Sequence, residues 1–231
     1  YTPTARSKVR RKPARASYDE AMVHAVLDCA VVAHVGYVID GQPFVTPTTY
    51  WREGRRLYWH GSAASRMLRA QGAGLPVCLT VSHIDGLVLG RSGIAHSMNY
   101  RSVMAFGRAR LVEGLEARRA AMTAFLERLY PGRTQALRPM TDNELKLIAL
   151  AEMPIEEAVA KSRTGSVNNL TEDDGWPAWN GVIPLATVVG RPMADAAQSA
   201  GAPAAPGLDL YAPGARLDEV LAAALSAAAP T

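Results

Sequence analysis

Apolar positions recur along this chain with two different periods, and the points where the period changes mark its elements. Met22, Val23, Val26 and Leu27 fall at helical spacing. Ser17 stands before them as an N-cap, with Glu20 completing a capping box, so "SYDEAMVHAVLDCA" reads as a helix. In "VVAHVGYVIDGQPFVTPTTYW" the pattern becomes two strands around Asp40-Gly41, a strong hairpin signal. "REGRRLYWHG" supplies a third strand after a turn at Glu53-Gly54, and "SRMLRAQGA" a short helix. "LPVCLTVSHIDGLVLGR" reads as strands on either side of a second Asp-Gly pair, Asp85-Gly86, and "YRSVMAFGRARLVE" as one long strand. Helical spacing returns in "GLEARRAAMTAFLERLYPG", which ends at Pro131-Gly132. It returns again in "TDNELKLIALAEM", with Thr141 as cap and Glu144 closing the box. "PIEEAVAKSRTG" reads as a further strand, "WNGVIPLATVVGRP" as a strand or a wall-forming loop, and "ARLDEVLAAALSAAA" as a terminal helix.

Short strands joined by hairpins, with helices inserted between them, predict a mainly β (α+β) fold built on a small antiparallel barrel. They argue against a doubly wound parallel sheet. No GxGxxG follows a strand, and there is no Walker A sequence, GxSxG elbow or HExxH. The chain divides into a basic arm (1–16), a barrel domain with inserted helices (17–192) and an Ala/Pro/Gly-rich tail carrying the last helix (193–231). No internal repeat is visible.

The 231 residues suffice for a sizeable core, and 48% hydrophobic with 20% charged residues is ordinary for a soluble protein. No apolar run approaches the roughly 20 residues that span a bilayer, and no secretory signal is present, so the expectation is a cytoplasmic protein without membrane contact. The formal charge of +4 comes from the arm: without Arg6, Lys8, Arg10, Arg11, Lys12 and Arg15 the rest is slightly acidic. With no zinc-finger spacing and few aromatics, nucleic-acid binding is disfavoured; a solvated arm, or one lying on a partner subunit, is expected instead. Cys29 and Cys78, the only cysteines, lie in apolar surroundings and read as inert thiols.

One stretch carries chemistry more directly. "LYWHGSAASRMLRA" runs from an apolar strand through small residues into a helix start with Ser65 and Arg66. A hydroxyl, a guanidinium and free amides at that point make an anion site. His34, His60 and His96 are candidates to line a nearby pocket. His83-Ile84-Asp85 with His96 is too weak a pattern to predict a metal.

Four stretches in their order resemble the pyridoxamine 5′-phosphate oxidase-related superfamily of FMN-binding split barrels, closest to its 5-nitroimidazole reductase-like branch. The resemblance runs from about Arg11 to about Leu185. "GQPFVTPTTYW" is similar to the strand that lies along the isoalloxazine edge, which implies flavin contacts from Val45, Thr46, Pro47 and Thr48. His60-Gly61 and Ser65-Arg66-Met67 stand where the oxidases have Tyr-Thr and Ser-Arg-Lys, which implies that the anion is the FMN phosphate. The lysine is missing; Arg69, Arg91 or Arg101 are the substitutes at hand. "NYRSVMAFGRARLVE" resembles the strand that reaches FMN across the dimer, with Ser102 in place of a flavin-contacting Gln, and Ser97 and Asn99 close by. In "GWPAWNGVIPL" the Trp-x-Gly resembles the C-terminal tryptophan at the flavin, here Trp179.

The resemblance therefore implies a homodimer with FMN at its interface and an oxidoreductase acting on an unidentified small molecule. No Arg-x-His follows Trp179, so the element that grips pyridoxal phosphate in the oxidases is absent and vitamin B6 oxidation is not implied. His60 is placed as the proton donor beside the flavin. Two other functions stay open: a non-catalytic flavin-binding or storage protein, and a split barrel holding haem through His34 or His60.

Overall fold

The computed structural model describes residues 1–72, 74–197 and 206–228. Part of the Ala/Pro/Gly-rich linker and the last residues of the chain lie outside them. The first half runs β1 (Ala16–Ser17), α1 (Glu20–Asp28), β2 (Val32–Ile39), β3 (Gln42–Glu53), β4 (Arg56–Ser62), α2 (Arg66–Gln71) and β5 (Leu75–Leu89). The second runs β6 (Ser97–Leu111), α3 (Leu115–Leu129), α4 (Asp142–Leu147), β7 (Ile148–Pro154), β8 (Glu157–Arg163), β9 (Gly181–Pro184) and α5 (Leu217–Ala228).

Neighbouring strands follow the order β1-β8-β6-β7-β4-β3-β2-β5-β9, with β5 also paired to β6. That extra pairing closes β2 to β7 into an antiparallel barrel. β5 and β6 are 15 residues each. Part of each completes the barrel, and the remainder projects past it to carry β9 on one side and β8 on the other. This is the split barrel that the sequence predicts. Val35, Leu57, Trp59, Leu79 and Val103 are fully buried inside it. The Trp59 indole donates to Gln71 Oε1 at 3.0 Å and so pins α2 to the barrel wall. A second, smaller cluster lies outside the barrel, where α3 covers Trp51 and Leu150.

The Asp40-Gly41 hairpin forms as expected: φ of 51° and 78° places both residues in the left-handed region a two-residue turn requires. Three elements differ from the sequence expectation. Asp19, not Ser17, caps α1, its carboxylate accepting from Met22 N at 2.8 Å, because Ser17 is held in β1 opposite Ala160. Asp85-Gly86 is not a hairpin: β5 continues through it with a register shift against β6, since β9 supplies a partner on its other edge. Finally, "TDNELKLIALAEM" is helical only to Leu147. The apolar run Ile148 to Met153 is drawn into a strand by a continuous pairing with β4.

The capping box of α4 is complete, with Thr141 and Glu144 satisfying each other's backbone amides. Thr141→Ala should cost about 1 kcal/mol, read as a drop of roughly 2–4 °C in the thermal midpoint.

Candidate functional site

The β2–β3 hairpin projects beyond β4, which pairs only with Tyr50 to Glu53 of β3. Its two faces differ. Phe44, Thr46 and Thr48 share the inner face with Val35 and Tyr37. The Phe44 and Tyr37 rings stack at 5.6 Å, and the Tyr37 hydroxyl lies 3.0 Å from Thr46 Oγ1. Val45 and Pro47 point the other way, and Val45 is 67% exposed.

α2 brings Arg66 to the inner side. Ser65 is its N-cap, accepting from Leu68 N at 3.5 Å, and Gly61 packs toward Leu68. The Arg66 guanidinium sits 4.4 Å above the Phe44 ring. Arg66 is exposed and pairs with no carboxylate among the described residues. Arg69, one turn along the same helix face, is likewise exposed. The structure thus joins Ser65 and Arg66 to the Thr46–Thr48 segment through Phe44, a residue that no sequence motif singles out.

The other predicted residues lie elsewhere. His60 and Gly61 are consecutive in β4 and face opposite ways: Gly61 meets α2, whereas the His60 ring packs under α3, 5.1 Å from Phe125 and 6.1 Å from Trp51. On β6, Ser102 Oγ donates to Lys161 O at 3.2 Å. Asn99 Nδ2 donates to Gly165 O and its Oδ1 accepts from Arg163. Ser97 is exposed at the start of the same strand, and none of the three shares a hydrogen bond with the Arg66 cluster. Trp179 is mostly exposed before β9, its ring lying against Gly181, where a Cβ would come within 2.9 Å of it.

Of the arginines that could replace the missing lysine, Arg101 is already engaged by Asp85 at 2.7 and 3.0 Å and by Asp218 at 3.0 Å. These bonds hold it firmly charged. Arg91 lies 3.9 Å from Asp174. Arg69 is left as the available cation. The Arg101 network walls a cavity of about 470 Å³ where β5 passes from β2 to β9, with Cys29, Ser82, His83 and Leu217 also at its edge. Burial pushes the Cys29 and Cys78 thiols up, in keeping with unreactive side chains.

His60 Nδ1 is buried without a hydrogen-bond partner. Burial alone pushes its imidazole below the ordinary 6.5. The unfolded chain therefore takes up this proton at a higher pH than the folded one. The resulting stability is full above about pH 6.5 and is lost as the pH falls below it. His24 is shifted the same way, so a difference measurement is needed. Between pH 7 and pH 5.5 the thermal midpoint of His60→Phe should fall less than that of the parent; an equal fall would place the acid sensitivity elsewhere.

Outside the barrel the projecting sheet leaves a broad apolar face uncovered. Val32, Val38, Val45, Ile84, Met98 and Met104 are each at least 40% exposed. His34 lies in the same face, in register between Pro47 and Thr80. Soluble chains seldom leave so many large apolar groups on one surface unless something covers it.

The architecture is that of the split barrels. Within them the chain belongs to the pyridoxamine 5′-phosphate oxidase family, which residues 19–162 match. It is similar over nearly its whole length to the flavocytochrome Anf3 of Azotobacter vinelandii, with 40% identity over 91% of this chain and 98% of that one, and a TM-score of 0.85. It is also similar to the FAD and haem binding protein of Mycobacterium smegmatis, with 32% identity over 87% and 99% of the two chains and a TM-score of 0.82. A proposed 5-nitroimidazole antibiotic resistance protein of Bacteroides thetaiotaomicron shares the fold at 22% identity and a TM-score of 0.52, over 64% of this chain and 86% of that one. No curated protein matches the sequence. No helix among the described residues is long and apolar enough to cross a membrane.

Proposed function

We propose that this chain is a flavin-binding oxidoreductase that works as a homodimer on a small molecule in the cytoplasm. The observation that carries the reading is Arg66, a cation without a carboxylate partner among the described residues, held over Phe44 beside Thr46. A phosphate placed there meets a guanidinium able to hold two of its oxygens, with Arg69 one turn away. The sequence points to FMN. Because FAD contains the same phosphate, and one close relative is described as binding FAD, the contact serves either form.

A bound flavin supplies hydride and single-electron exchange. The chain's own residues would hold its phosphate and offer the Val45–Thr48 backbone as an edge. A second copy seated on the open apolar face covers Val32, Val45 and Met104 and brings its own β6 segment toward the cofactor. No cation stands after Trp179 to hold pyridoxal phosphate, so vitamin B6 is not the proposed substrate. His60 faces α3 and not Arg66, so no proton-transfer step is assigned to it.

A second reading adds haem, in line with the descriptions of the two close relatives. His34, exposed in the open face, can receive a planar group there; His60 is enclosed by Phe125 and Trp51 and needs α3 to move first.

The test is to add FMN, FAD or haem to the purified protein, remove the excess by gel filtration and record the absorption spectrum with the dimer state. Retained flavin near one per chain, identified after release, supports the first reading, and a Soret band that His34→Ala removes supports the second. A folded protein that retains no flavin overturns the proposal. Turnover with a reduced nicotinamide then separates an oxidoreductase from a storage protein.

A further inference from the structure

The basic arm and the end of β8 enclose a second anion site. Arg163, the last residue of β8, is only 6% exposed, yet no carboxylate pairs with it among the described residues. Its guanidinium donates to Asn99 Oδ1 and, at 2.9 Å, to Ser166 O, which uses two of its five N–H donors. A buried charge with neutral partners alone is expensive to keep, so the site lacks a negative group. Beside it lies a cavity of about 310 Å³ whose polar wall is Arg15, Ser162, Arg163, Thr164, Ser166 and Asn168. Arg15 enters from the short helical turn Pro13–Arg15 and also has no acidic partner among the described residues. Glu156 and Glu157, at the other end of β8, are held by Arg6. Arg10, Arg11 and Lys12 lie exposed just before the turn and add positive potential at the approach.

We propose that this cavity binds a phosphate group. Two arginines lining one space among small polar residues suit a doubly charged tetrahedral anion, whereas a single carboxylate is satisfied by one arginine fork. The site uses none of the residues assigned to the flavin phosphate, and the inference stands whether or not that assignment holds. It also accounts for the placement of the arm, since Arg15 is brought to Arg163 by the pairing of Ala16 and Ser17 in β1 with Lys161 and Ala160 of β8. The phosphate belongs either to a separate small molecule, such as a phosphorylated substrate or nucleotide donor, or to the distal phosphate of the chain's own cofactor.

Inorganic phosphate and pyrophosphate are titrated calorimetrically into the full chain, with and without bound flavin, with acetate as the control. Saturable phosphate binding that acetate does not match, weakened tenfold or more in Arg15→Ala, is the expected result. Flavin retention should be unchanged in that variant if the phosphate comes from a separate molecule. Equal binding to flavin-loaded and flavin-free protein also assigns the site to a separate phosphorylated molecule; binding confined to the flavin-free form assigns it to the cofactor. Arg163→Met should abolish binding, and if that variant does not fold, Arg15→Ala, half-exposed and outside the core, carries the test alone. Absence of phosphate binding in both forms, equal binding of acetate, or an unchanged affinity in Arg15→Ala would overturn the proposal.

Discussion

Arg66→Met is expected to weaken flavin retention about 10- to 150-fold, the equivalent of one charge-assisted hydrogen bond of roughly 1.5–3 kcal/mol. The side chain is exposed and its packing is confined to the Phe44 face, so methionine keeps the stem and the fold should be unaffected. Circular dichroism and the thermal midpoint of the flavin-free protein then report the same structure, while equilibrium dialysis reports the lost affinity. Arg66→Lys should recover part of the loss, because it restores the charge without the two-pronged geometry. Raising ionic strength should weaken the parent more than Arg66→Met, since an exposed phosphate contact is screened by salt. Unchanged retention in Arg66→Met would move the phosphate away from α2.

How much of this arrangement can be read from the sequence depends on the range of the interaction. The Asp40-Gly41 turn and the Thr141 capping box are set by neighbours in the chain, and both form as read. The fate of "IALAEM" is not local: the same apolar run fits a helix, and only seven paired positions with β4 decide for a strand. Asp85-Gly86 has the residues of a hairpin, but β9 arrives from about a hundred residues away and keeps β5 extended. Ser65 and Arg66 are legible as a candidate anion site, because a small-residue turn before a helix is a local signal. The Phe44 platform beneath Arg66 is not, since an aromatic in a strand shows only that it packs somewhere. Likewise His60 and Gly61 read as a pair in sequence, and strand alternation sends them to opposite sides of the sheet. Arg163 stands in a stretch legible as a strand, yet nothing in the sequence signals that its charge is buried without a counter-charge among the described residues.

Asp28→Ala should cost the fold about 3–5 kcal/mol, the usual penalty for stranding a buried charge partner. At this chain length that is a fall of roughly 6–20 °C in the thermal midpoint. Asp28 ends α1, is 7% exposed and receives Arg52 through two bonds of 3.0 and 2.5 Å. Arg128 of α3 adds its charge 4.0 Å away while donating to the Asp28 carbonyl at 2.5 Å and to Leu221 O of α5 at 3.0 Å. Burial draws the Arg128 guanidinium below its ordinary value, with Asp28 opposing that shift. Removing the carboxylate leaves Arg52 and Arg128 both buried without it. The consequence reaches the C-terminal helix, whose buried face is Val220, Leu221 and Ala224 and whose Asp218 braces Arg101 at the cavity beside β5. Arg128→Met separates the two effects, because it leaves the Asp28–Arg52 pair in place and removes the ties to Leu221 O and to the Asp28 carbonyl. Hydrogen exchange in that variant should quicken in α5 before it quickens in α1 or the barrel strands. Equal protection of α5 in both proteins would mean that its apolar face alone holds it, and that the arginine serves α1 rather than the tail.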